Sequence, residues 1–141
     1  MKHEIPIRII VEDPLEGVAM LVQRGKDELL APSDATAKAL FFDLEISVDL
    51  SGSAPNFLGK YAQGPKDARF VYVNSGTYAG HAPCCWGRRA KISLMSITEK
   101  QVKEVLDGKA SRIVTSFPGI GRDGGPTCAS VKGIEWKTVK K

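Results

Sequence analysis

The stretch Leu40-Phe41-Phe42-Asp43-Leu44-Glu45-Ile46-Ser47-Val48-Asp49-Leu50 decides the fold class. Phe42, Leu44, Ile46, Val48 and Leu50 fall on one parity; Asp43, Glu45, Ser47 and Asp49 fall on the other. A strand turns successive side chains to opposite faces, so this is a strand with one apolar face and one wet, acidic face, the signature of an antiparallel sheet. The same period runs through Ile5, Ile7, Ile9 and Val11, which stop at the turn Asp13-Pro14-Leu15-Glu16-Gly17. Val18, Met20 and Val22 follow, ended by Arg24-Gly25. Further strands are expected at 69–74, 87–94, 111–117, 127–131 and 134–139.

Between them lie loops at 52–68, with room for a short edge strand, and at 75–86 and 118–126, all rich in Gly and Pro. One helix is expected at 98–107. Thr98 is its N-cap and Gln101 completes a capping box. Ile97 staples onto Val102, the apolar stripe is Val102, Val105 and Leu106, and Gly108 ends the helix. A shorter helical turn is expected at 34–39. Many short strands with one good helix give a mainly β chain: an antiparallel β-barrel or β-sandwich of about seven to nine strands. Residues 1–141 read as a single domain, with no repeat or linker.

The 141 residues are 43% hydrophobic and 26% charged, enough to bury a core without staples. The net charge of +4 is spread among interleaved acids and bases. No clustered basic stripe or recognisable motif accompanies it, so a nucleic-acid partner is not expected. No apolar run approaches the length of a membrane helix, and the first residues lack the apolar core of a signal peptide. Three cysteines, an odd number, fit reduced thiols better than a disulfide framework, so a cytoplasmic location is expected.

Three groups of residues carry candidate chemistry. His81, Cys84 and Cys85 lie close together, but adjacent cysteines point apart on an extended chain, unlike the spaced pairs that hold zinc. They leave open a thiol-dependent enzyme with His81 as the base of Cys84 or Cys85. The run Gly119-Ile120-Gly121-Arg122-Asp123-Gly124 superficially suits phosphate, yet a strand rather than a helix is expected after it. It reads as a hairpin turn with Asp123-Gly124 at the positive-φ positions.

The third group is Arg24, Arg88 and Arg122, each beside a loop or strand end. In Arg88-Arg89-Ala90-Lys91-Ile92-Ser93-Leu94 the parity that puts Ile92 and Leu94 on the core face puts Arg88 there too. A guanidinium so placed needs a carboxylate or a ligand. Two readings stand: a buried ion pair with Asp123 or Asp27, or a pocket in which Arg88, Arg122, Asp123 and Arg24 meet a small anionic ligand at the mouth formed by 24–27, 75–87 and 118–126. No acid, base and nucleophile assemble in the sequence. A binding or interaction domain, without cofactor or metal, is therefore expected rather than an enzyme, and exposed strand edges leave a homodimer open.

Four segments in order, Gln63-Gly64-Pro65, Arg69-Phe70-Val71-Tyr72-Val73, Arg88-Arg89-Ala90-Lys91-Ile92 and Asp123-Gly124-Gly125-Pro126-Thr127-Cys128-Ala129, resemble an uncharacterised bacterial family, one of the domains of unknown function. The likeness spans nearly the whole chain, to Ile134-Glu135-Trp136. It implies a stand-alone bacterial cytoplasmic domain and brings no activity, cofactor or catalytic residue with it.

Overall fold

The computed structural model describes residues 2–12, 19–23, 29–30, 32–36, 38–52, 54–58, 69–75, 88–118, 127–130 and 133–141. Among them the elements run β1 (Lys2–Glu12), β2 (Ala19–Gln23), β3 (Leu29–Leu30), β4 (Asp34–Ala35), β5 (Ala39–Asp49), β6 (Asn56–Leu58), β7 (Phe70–Ser75), β8 (Arg88–Ser93), α1 (Glu99–Leu106), β9 (Ala110–Pro118), β10 (Thr127–Ser130) and β11 (Lys137–Lys140). The chain is mainly β with one described helix, as the period-two pattern predicts, and its curled strands form a half-barrel.

The strands form two sheets. Sheet A has the order β11-β9-β1-β5-β4, with β6 also on β5; sheet B has the order β10-β8-β7-β2-β3. Most neighbours are antiparallel, but β1 runs parallel to β9 and β8 parallel to β10. Both parallel pairs arise because the chain shuttles between sheets and returns to each in the same direction. Parity fixes which face of a strand is buried but carries no information about distant partners, so these two pairings have no signature in the sequence. Pro6 sits within β1 at no cost to the parallel ladder, because pairing with β9 starts only at Ile7.

One core serves both sheets. β1 contributes Ile5, Ile7, Ile9 and Val11, β5 contributes Phe42, Leu44, Ile46 and Val48, and β9 contributes Ile113 and Phe117. Sheet B faces them with Val71 and Val73 from β7 and Ala90 and Ile92 from β8. Leu94 and Ile97 then lead into α1, whose Val102 is fully buried. The helix start is as expected: Thr98 Oγ1 accepts from the Gln101 backbone N–H at 3.2 Å, and Gln101 Oε1 accepts from the Thr98 N–H at 2.9 Å. Trp136 ties the parts together. Its ring Nε1 donates to the Ser93 carbonyl at 3.1 Å, and its own carbonyl accepts from Gln101 Nε2 at 2.6 Å.

Two expectations are corrected. The helical turn at 34–39 is instead β4 and a tight turn into β5: Thr36 N donates to Ala39 O at 2.8 Å, while Thr36 Oγ1 accepts from Ala39 N at 3.1 Å. Local side-chain bonding to the backbone wins over helix propensity here. The turn expected at Asp123-Gly124 lies outside the described residues; of the strands that flank 119–126, β9 lies in sheet A and β10 in sheet B. Turn-forming residues mark a reversal or a crossing equally well. The strands number eleven among the described residues, the surplus being the two-residue β3 and β4.

The wet face of β5 is less purely acidic than its own sequence suggests. Register sets Arg8 of β1 opposite Asp43. Arg8 grips the carboxylate with two bonds, Nε to Oδ1 at 2.7 Å and Nη2 to Oδ2 at 2.9 Å, and Arg112 Nη1 adds a third at 3.1 Å. Ser47, nominally on the wet face, is buried, its hydroxyl donating to Glu4. The bond from Arg8, outweighing burial, holds the Asp43 carboxyl below its ordinary value. An acid with a depressed folded-state pKa adds stability that is full above its unfolded value and is lost as pH falls through the folded one. Asp43→Asn is therefore expected to cost about 1 kcal/mol or less at neutral pH, these side chains being about a third exposed. Urea midpoints between about pH 6 and pH 3 should fall less steeply for the variant than for wild type. Parallel acid limbs would remove Asp43 from the account of acid stability.

Candidate functional site

Three strands of sheet B end together in a polar rung. Ser75 of β7 pairs with Arg88 of β8, and Arg88 pairs with Thr127 of β10. One rung further in, the corresponding positions are Val73, Ala90 and Ala129. Val73 and Ala90 are buried, as are Val71 and Ile92 on the rung beyond. The parity of β8 is thus the expected one: Ala90, Ile92 and Leu94 are 2%, 0% and 0% exposed. By that parity Arg88 takes a position on the core face, at the point where the apolar rungs give way to Ser, Arg and Thr.

Neighbouring strands lie about 4.8 Å apart, so the three Cα atoms of the rung span roughly 10 Å. Arg88 is flanked in the ladder by the positions of Ser75 and Thr127. Arginine supplies a bidentate fork and Ser and Thr supply further donors, all matched to carboxylate or phosphate oxygens. Parity alone could single out Arg88. Ser75 and Thr127 were missed because only the pairing register reveals them.

The placement of the other expected site residues follows from the strands that deliver them. The segments 76–87 and 119–126 adjoin this rung directly, through Ser75, Arg88 and Thr127. Arg122 and Asp123, with His81, Cys84 and Cys85, lie outside the described residues. Arg24 lies outside them too, but its strand is informative. β2 pairs Ala19 with Ser75 and Gln23 with Val71, so its last residue lies at the end of this ladder away from Ser75.

Elsewhere, polar side chains largely satisfy one another. Arg8 and Arg112 share Asp43; Lys140 bonds Glu104, and Lys103 pairs with Glu99 at 3.0 Å. A shallow hollow of about 230 Å³ on sheet A is lined by Ile10, Val114, Thr115, Ser116, Glu135 and Lys137 among others. Among the described residues no cluster of three or more His, Cys, Asp or Glu could hold a metal. No described helix is long and apolar enough to cross a membrane.

The model of a family of unknown function (DUF5990) matches residues 5–139. No curated protein matches the chain, and no solved structure does.

Proposed function

The chain belongs to this family of unknown function, and from that premise we propose that it is a bacterial cytoplasmic binding domain that takes a small anionic ligand at the Arg88 end of sheet B. The observation that carries the reading is the polar rung Ser75–Arg88–Thr127 closing an otherwise apolar face. Burying an arginine position with no anion is costly, whether the anion belongs to the protein or to a ligand. Arg88 is the principal ligand group, Ser75 and Thr127 assist it, and Arg122 and Asp123 belong to the segment that enters at the same rung. An arginine with neighbouring hydroxyls suits carboxylates and phosphates.

A thermal-shift screen of carboxylates and phosphates on wild type and Arg88→Met tests it. A ligand that binds only the folded state at a hundred times its Kd adds about 2.7 kcal/mol, a shift of several degrees. Wild type should gain stability with a specific anion, and the variant should not. If Arg88 only completes an internal ion pair, the variant melts lower and no anion moves either protein, which would overturn the proposal.

A further inference from the structure

The turn from β8 to α1 holds a methionine in water. Met95 is 56% exposed, between Leu94 and Ile97, which are both buried. The backbone around it is tied down. Met95 N–H donates to Ser93 Oγ at 3.1 Å, Leu94 N–H to the Arg69 carbonyl at 2.9 Å and Ile97 N–H to the Leu94 carbonyl at 3.1 Å. The Met95 sulfur accepts from Arg69 Nη1 at 3.7 Å. Phe70 backs that guanidinium, whose carbon lies 5.9 Å from the ring centroid. An exposed thioether is thus presented on a fixed turn with a cationic donor at its sulfur.

A thioether sulfur is a weak acceptor, so the reduced side chain makes little of this donor. Its sulfoxide is a strong one. A sulfoxide oxygen stands about 1.5 Å from its sulfur and accepts an N–H at about 2.9 Å, so a bent arrangement keeps sulfur and nitrogen about 3.7 Å apart. That separation is already present. Methionine oxidation ordinarily disrupts a fold, because it sets a polar group among apolar neighbours. Here the side chain stands in water, and the new oxygen gains a charge-assisted bond, roughly twice as strong as a neutral one.

We propose that Met95 is a reversible oxidation site whose sulfoxide is captured by Arg69. The oxidant is a peroxide. A sulfur lone pair attacks one peroxide oxygen, and the S–O bond forms as the O–O bond breaks. The displaced hydroxide takes the proton of the transferred oxygen and leaves as water. Sulfur is oxidised by two electrons and the peroxide is reduced by two. The exposed side chain has room to turn its oxygen toward Nη1. A thiol-dependent sulfoxide reductase restores the thioether, releasing the oxygen as water while its own thiols become a disulfide. The site lies past Ser93, at the end of β8 away from Arg88, so it stands or falls separately from anion binding at the rung.

Brief treatment with dilute hydrogen peroxide, followed by peptide mass spectrometry and melting curves, tests it. Met95→Leu is the control for oxidation at Met1 and Met20. Met95 should gain one oxygen in the folded protein. The change in melting temperature on oxidation should be about 2 °C more positive for wild type than for Met95→Leu. Arg69→Leu should lose that gain, and Arg69→Lys, which keeps a cationic donor, should keep part of it. Proton NMR of wild type reads the capture without any variant: on oxidation the Arg69 guanidinium protons should shift downfield and exchange more slowly. A sulfoxide reductase should return the melting temperature to its starting value. A folded protein in which Met95 stays reduced, a wild type that gains no more than Met95→Leu, or an Arg69→Leu that gains as wild type does would each overturn the proposal. So would unchanged guanidinium protons, or a sulfoxide that the reductase leaves in place.

Discussion

Phe42→Ala lowers the unfolding free energy by about 3–5 kcal/mol, while Phe41→Ala, one residue away, costs far less. Phe42 is 1% exposed and sits opposite Ile9 in the middle of sheet A, among the side chains that face sheet B. Truncating it removes buried apolar area and leaves a cavity that a β-sheet cannot readily collapse. Phe41 has the other parity, with the Arg8 guanidinium 5.3 Å from its ring centroid on the wet face. A domain of this size has about 5–15 kcal/mol in hand, so the first variant approaches the limit of folding and the second does not. Urea unfolding should show a much lower midpoint for Phe42→Ala at an unchanged slope. Equal costs at the two positions would mean that the phase of β5 is wrong.

The second large effect is at Trp136. It is 6% exposed, yet it follows an irregular stretch and precedes only the short edge strand β11. Its ring crosses to the Ser93 carbonyl in sheet B, so one side chain joins the two sheets, and its backbone carbonyl anchors Gln101 of the helix. Trp136→Ala is expected to cost about 3–5 kcal/mol. Trp136→Phe keeps most of the packing but leaves the Ser93 carbonyl unpaired, a cost of about 1–3 kcal/mol. The Gln101 bond goes to the main chain and survives both changes. Chemical denaturation of the pair separates packing from hydrogen bonding. If Trp136→Phe were as damaging as Trp136→Ala, the ring's bond to Ser93 would outweigh its volume.

These contrasts mirror what the sequence could express. Phe42 and Phe41 are assigned to opposite faces by parity alone, and parity also identifies the buried positions from Ile5 to Val11 and from Ala90 to Leu94. The helix start is equally local: Thr98, Gln101 and Ile97 announce it within five residues. Whatever depends on strand pairing is absent from the sequence. Arg8 and Arg112 meet at Asp43, and Thr127 stands beside Arg88, through ladders between strands far apart in the chain. The same holds for the end of the sheet to which each loop belongs. β2 ends at Gln23, opposite Val71 and away from Ser75, which no local pattern foretells. Gly119 to Gly125 read as a hairpin turn, while the strands that flank them, β9 and β10, lie in different sheets. Trp136 offers a third case, since bulk and apolarity foretell burial but not that it joins both sheets to the helix.

The central claim is that an anion binds at the Ser75–Arg88–Thr127 rung, and hydrogen exchange followed by mass spectrometry tests it most directly. With the stabilising anion from the thermal-shift screen present, peptides covering 76–89 and 119–127 should exchange more slowly. Peptides from α1 and from β5 should be unchanged, and the protection should vanish in Arg88→Met. Protection confined to Lys100–Lys109, or an identical response in Arg88→Met, would contradict the account.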